Sequence, residues 1–173
     1  MFTNEKRDIH DISFPEEEVK LAKTMMDELK TTMEFFYYLM NNKDKSSLTI
    51  ILLSADNIKL ESLLPKWKRK TDILFQLDKA KNVYVIVCQS TDREGGKQFA
   101  EILMSNMHLH GASDSYCVVS ESKKMTYTFQ EVIFKMVEKY VSIKEKKQSN
   151  RVFFTNFEST DDPDVIYHIG SRI

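Results

Sequence analysis

Arg69 and Asp72 stand in the spacing R-x-x-D at the head of the stretch RKTDILFQLDKAKNVYVIV, residues 69–87. An arginine offers a planar fork of donors, and an ionised aspartate offers only acceptors. Together they form either a ligand-binding pair or the charged mouth of a hairpin. In the second case Asp72 ties the turn into the strand and Arg69 is a solvated cation. Arg69 also belongs to KWKRK, residues 66–70, the densest basic patch of the chain. An anion would settle best there, with Trp67 as a stacking surface. Cations at that place also complement the dipole at a helix C-terminus, and on a chain of net charge −1 the solvated helix end is the favoured reading.

The remaining chemical residue types form weaker patterns. His108 and His110 are two apart but have no carboxylate or cysteine at ligand spacing, so they read as exposed turn histidines. Gly95-Gly96 lacks the glycine spacing and trailing Lys-Ser/Thr of a phosphate loop, and no nucleophile elbow is present. Cys88 and Cys117 lie in the apolar runs VYVIVC and SYCVV and read as buried thiols. Nothing here implies a metal or a cofactor. A pI near 6.4 provides no field that would gather nucleic acid or an anionic membrane surface. With no run of 18 apolar residues and no leader-like apolar region in MFTNEKRDIH, the expectation is a cytoplasmic protein without a membrane span.

The elements that must position these residues follow from periodicity. A helix is expected over 14–42, opened by Pro15 and an S-x-x-E box at Ser13 and Glu16. Val19, Met26, Met33 and Met40 recur every seven residues, as do Ala22, Leu29 and Phe36. Leu21, Met25, Phe35 and Leu39 widen that stripe, which suits a helix lying on a sheet better than a two-stranded coil. LTIILLSAD (48–56) reads as a fully buried strand, and a short helix interrupted at Pro65 follows over 58–67. Strands over 72–77 and 83–89 flank a turn. Beyond them come a helix from a Thr91 or Asp92 cap to Met107, a strand at SYCVVS, a helix over 128–147 and a last strand in RVFFTNF. The order α-β-α-β-β-α-β-α-β predicts an α+β fold: a central, mainly antiparallel sheet of about five strands flanked by helices. A single domain is expected over 14–155, followed by an acidic tail over 156–173.

Four local strings, in order, resemble the GGDEF domain of bacterial diguanylate cyclases. LTIILLSADNIK is similar to the family's first strand, L-L-x-I-D-I-D-x-F-K, and RKTDILFQL to R-x-x-D-L-V-A-R-L. VYVIVCQSTDREGGKQFAEIL resembles the strand and helix after the signature, and YVSIKEKKQSNRVFF resembles the closing A-L-Y-x-A-K-x-x-G-R-N-R-V-x-F. The likeness spans roughly residues 19–154. It implies the sheet of nucleotide cyclases, related to ferredoxin-like folds. It also implies that R-x-x-D corresponds to the inhibitory site that binds cyclic di-GMP. In that role Arg69 would meet a phosphate or guanine edge, and Asp72 would accept from a guanine N–H.

The departures concern chemistry. The GG[DE]EF signature is absent: DKAKNV stands between Leu77 and Tyr84, with Asp78 its only acid and Lys79 and Lys81 filling the turn. The first metal-binding aspartate of the family corresponds to Ser54, and only the second survives, as Asp56. ESLLPKWK is shorter than the family's base-recognising segment, and HDISFPEEEV lacks the family's N-terminal motif. The expectation is therefore a catalytically inactive, degenerate GGDEF-like module of bacterial signalling. It would work through a protein partner or self-association, with the 19–40 helix as a candidate surface. The alternative is a cyclic di-GMP effector acting through Arg69 and Asp72. A phosphoryl-transfer enzyme of another kind would require Ser54, Asp56 and Asp78 to gather in one cleft.

Overall fold

A computed structural model describes residues 15–42, 47–122 and 127–155. Its elements run α1 (Glu16–Asn42), β1 (Leu48–Ala55), α2 (Leu60–Trp67), β2 (Ile73–Asp78), β3 (Val83–Gln89), α3 (Arg93–Leu109), β4 (Ser115–Ser122), α4 (Phe129–Glu145) and β5 (Val152–Phe154). The order is the one the periodicity predicts. The Ser13 cap, the residues after Thr155 and the tail lie outside the described residues.

The five strands lie in the order β2-β3-β1-β4-β5. All pairings are antiparallel except β4 with β5, whose parallel alignment follows from the crossover through α4. Every residue of β1 is buried, because the strand has a neighbour on each side and helices on both faces. Ile50 and Leu52 pack with Val85, Val87 and Val118 beneath α1 and α4. Ile51 and Leu53 pack with Ile86, Cys117 and Val119 beneath α2 and α3. A strand covered on both faces has no polar side to alternate with, hence the unbroken apolar run.

The helices attach by identifiable devices. Ala22, Met25, Leu29, Met33 and Phe36 form the buried stripe of α1, which lies on α4 and the sheet. Part of the wide stripe stays outside: Val19 and Phe35 are 45% and 58% exposed. Asp92 caps α3 by accepting from the Gly95 N–H at 2.8 Å. Gly96 in the next position is the contact point of α3 with β1, since a Cβ there would come within 2.6 Å of Thr49 Cγ2. The glycine that weakens helix propensity is thus the residue that lets the helix approach the sheet. Thr128 and Glu131 form a reciprocal capping box at the start of α4.

Candidate functional site

The R-x-x-D pair sits where α2 hands the chain to β2, and the two side chains bond to one another. Arg69 Nε donates to Asp72 Oδ1 and Oδ2 at 3.1 and 3.0 Å, and Nη2 donates to Oδ1 at 2.9 Å. The Arg69 backbone N–H adds a bond of 2.8 Å to Oδ2. Asp72 is buried, whereas the Arg69 side chain is 46% exposed. Arg69 Nη2 also donates to Thr91 Oγ1 at 2.8 Å, and that hydroxyl in turn donates to Gln89 O. The guanidinium lies 5.3 Å from the centre of the Phe99 ring. Bonds from Asp72 hold the Arg69 proton more firmly than usual, against a smaller opposing effect of burial. Beside the pair, burial and then the Asp72 charge push the Cys88 thiol up to about 12. A groove of about 320 Å³ lies next to Arg69, lined by Ser47, Ser90, Thr91, Asp92 and Gly95.

The other end of β1 is built differently. A cleft of about 680 Å³ is lined by Asp56, Lys59, Glu61, Lys79, Lys81 and Tyr84 among others. Asn82 organises its floor: its side-chain amide donates to Ala55 O at 2.6 Å and to Ile58 O at 2.8 Å, joining the β2–β3 turn to the β1–α2 connection. Its φ of +60° is one an asparagine tolerates. Lys79 pairs with Glu61 at 3.6 Å and Lys81 with Glu17 at 3.1 Å, both in solvent.

The three positions that another phosphoryl-transfer chemistry would require, Ser54, Asp56 and Asp78, do not gather here. Ser54 turns to the opposite side of the sheet and accepts a 2.6 Å hydrogen bond from the buried Tyr140 hydroxyl of α4. Burial pushes that phenol up to about 12, with the Ser54 bond opposing. Asp78 Oδ1 accepts from the Lys81 N–H at 3.0 Å, an aspartate spent on its own turn. Asp56 is exposed, its backbone N–H bonded to Asp114 O. Among the described residues two acids, Asp56 and Glu61, therefore face the cleft with Lys59, Lys79 and Lys81. Among the described residues no group of three or more His, Cys, Asp or Glu side chains could hold a metal ion.

Two smaller expectations need adjustment. His108 belongs to the last turn of α3 rather than to a loop, while His110 caps that helix. The His110 and Trp67 rings form an edge-to-face pair with centres 5.1 Å apart, so the indole proposed for stacking already has an aromatic neighbour. Cys88 and Cys117 are both buried free thiols, as expected. The sequence does not mark Thr91, Asn82 or Tyr140 for these roles. Each acts on a partner between 22 and 86 positions away, and nothing local marks such a contact.

No family model and no curated protein matches the chain. Its fold does match solved structures. One is the active GGEEF domain of a diguanylate cyclase from Vibrio cholerae, at 15% identity and TM-score 0.52, covering 65% of this chain and 85% of that one. Another is the GGDEF domain of DgcB from Caulobacter crescentus in complex with c-di-GMP, at 9% identity and TM-score 0.56, covering 72% and 88%. A third is the diguanylate cyclase SiaD of Pseudomonas aeruginosa in complex with its activator SiaC, at 8% identity and TM-score 0.51, covering 89% and 74%. The chain has a GGDEF-like α+β fold. Among the described residues no helix is long and apolar enough to cross a membrane.

Proposed function

We propose that this chain is a catalytically inactive GGDEF-like module of bacterial cytoplasmic signalling that acts by contact with a protein partner or a second copy. The observation that carries this reading is the bond from Tyr140 to Ser54. The position that the resemblance equates with a metal-binding aspartate holds a hydroxyl, and that hydroxyl is turned into the packing between sheet and α4. Phosphoryl transfer of the diguanylate cyclase kind relies on divalent metal held by carboxylates to offset triphosphate charge. With Asp78 bonded into its turn, Asp56 and Glu61 are left facing Lys59, Lys79 and Lys81, a set that does not fit such an ion. Support for a contact role comes from the exposed Val19, Phe35 and Tyr38 of α1. Titrating GTP and magnesium into the protein by calorimetry tests the inactive reading. No heat is expected. A one-to-one isotherm that disappears in Asp56→Asn would overturn it.

In the same reading the R-x-x-D is a structural clasp. Asp72 uses both oxygens on Arg69, and the guanidinium spends Nε and Nη2 inside the protein. The cyclic di-GMP reading is favoured by one observation, the groove that leaves one side of Arg69 open. Calorimetry at millimolar cyclic di-GMP separates the two. The clasp gives no heat, whereas an effector gives binding that Arg69→Ala removes.

A further inference from the structure

We infer that the groove between the first turn of α1 and the outer face of α4 is a docking site for a basic, amphipathic polypeptide segment of a partner protein. The inference deepens the contact role proposed above and rests on it only for the partner being a protein. The groove holds about 470 Å³, with Phe134 and Tyr127 as its apolar surface. Phe134 is 42% exposed on a helix whose other large apolar residues are inside. Among the described residues Glu18, Glu131 and Glu138 line the same groove with one lysine, Lys135, which forms no ion pair with them.

Glu18 is the telling residue. It continues the buried stripe Ala22–Met25–Leu29 of α1, a position that packing would fill with an apolar side chain. It is only 8% exposed, and it has neither a hydrogen bond nor an ion pair among the described residues. Carboxylates in helix first turns are common because the dipole favours them, and Glu16 and Glu17 satisfy that rule from the solvent side. The dipole does not explain placing a third acid on the buried stripe opposite Glu138. Burial, and then the charges of Glu138 and Glu145, raise its affinity for a proton. A lysine or arginine entering with an apolar neighbour would relieve that repulsion and cover Phe134. A polyanion or an acidic peptide would aggravate it.

The test uses the full chain, isotopically labelled for amide spectra, and a synthetic helical peptide of leucine and lysine. A leucine–glutamate peptide of the same length is the control. The lysine peptide is expected to move the Glu18, Phe134 and Glu138 resonances together. Glu18→Gln and Phe134→Ser, each checked for native amide dispersion, should each weaken it about tenfold, the ratio that one lost charge pair or anchor typically produces. Shifts scattered away from the groove, equal binding by the glutamate peptide, or unchanged affinity in both variants would overturn the inference. So would binding that appears only when residues 1–14 or 123–126 are altered, since the chain would then be its own occupant. Concentration-dependent shifts of these resonances without peptide would also overturn it, making the occupant a second copy. GTP turnover on the same sample reports on the inactive reading separately.

Discussion

The two ends of β1 use similar side chains to opposite effect. Near Ala55, Asp56, Glu61 and three lysines line an open cleft, and the ion pairs there, Lys79–Glu61 and Lys81–Glu17, stand in solvent. Near Leu48, one arginine and one aspartate lock together beside Thr91 and Phe99, and the carboxylate is sealed from water. Exposed pairs at the first end are screened and replaceable. The clasp at the second end cannot lose a partner without stranding a buried charge. Charge content alone therefore does not mark a site; its burial decides whether it holds the fold or stays available.

The largest effect expected from this comparison is on the clasp. Asp72→Ala should lower the free energy of unfolding by about 3 kcal/mol in urea titrations, because it removes the acceptor for three side-chain contacts and one backbone N–H. A loss below about 0.5 kcal/mol, the range of ordinary surface changes, would erase the distinction between the ends. Next, Gly96→Ala should cost about 2 kcal/mol through overpacking against Thr49, and Thr49→Ser in the same chain should return part of it. Serine keeps the hydroxyl that donates to Thr91 O while removing the clashing methyl.

Tyr140→Phe removes one buried hydrogen bond and should cost about 1 kcal/mol at neutral pH. Its sharper signature is alkaline. The folded phenol is pushed up to about 12 from an ordinary 10, so across that window the unfolded chain has released its proton while the native one retains it. Stability therefore falls as pH rises from 10 to 12, and the phenylalanine variant should fall less steeply. Equal slopes in the two proteins would place the alkaline sensitivity elsewhere, among the other raised groups Cys88, Cys117, Tyr37 and Tyr116. The smallest effect belongs to the open end. Lys79→Ala and Lys81→Ala should each change stability by less than about 0.5 kcal/mol in the same urea titrations.

The sequence exposes the scaffold more readily than the contacts. Buried strands announce themselves as unbroken apolar runs, and β1, β3 and β4 fall where LTIILLS, VYVIVCQ and SYCVVS place them. The chain order of elements and the R-x-x-D spacing are local, so they survive in a linear reading. The fate of Ser54 is not local. Whether its hydroxyl faces a cleft or a helix depends on Tyr140, 86 residues later. Glu18 likewise reads as one of three first-turn acids, and only the packing of α1 on α4 separates it from Glu16 and Glu17. The cleft that another phosphoryl-transfer chemistry would need is not formed for that reason: Ser54 is bonded to Tyr140, Asp78 is bonded into its turn, and Asp56 lies past the end of β1.

Pyrophosphate release from GTP, measured with excess magnesium or manganese at high protein concentration, tests the central claim most directly. In the proposed reading, with Ser54 bonded to Tyr140, the chain should release none above a protein-free control. Steady release that scales with protein and is abolished by Asp56→Asn would contradict the account and make the cleft at the end of β1 an active site.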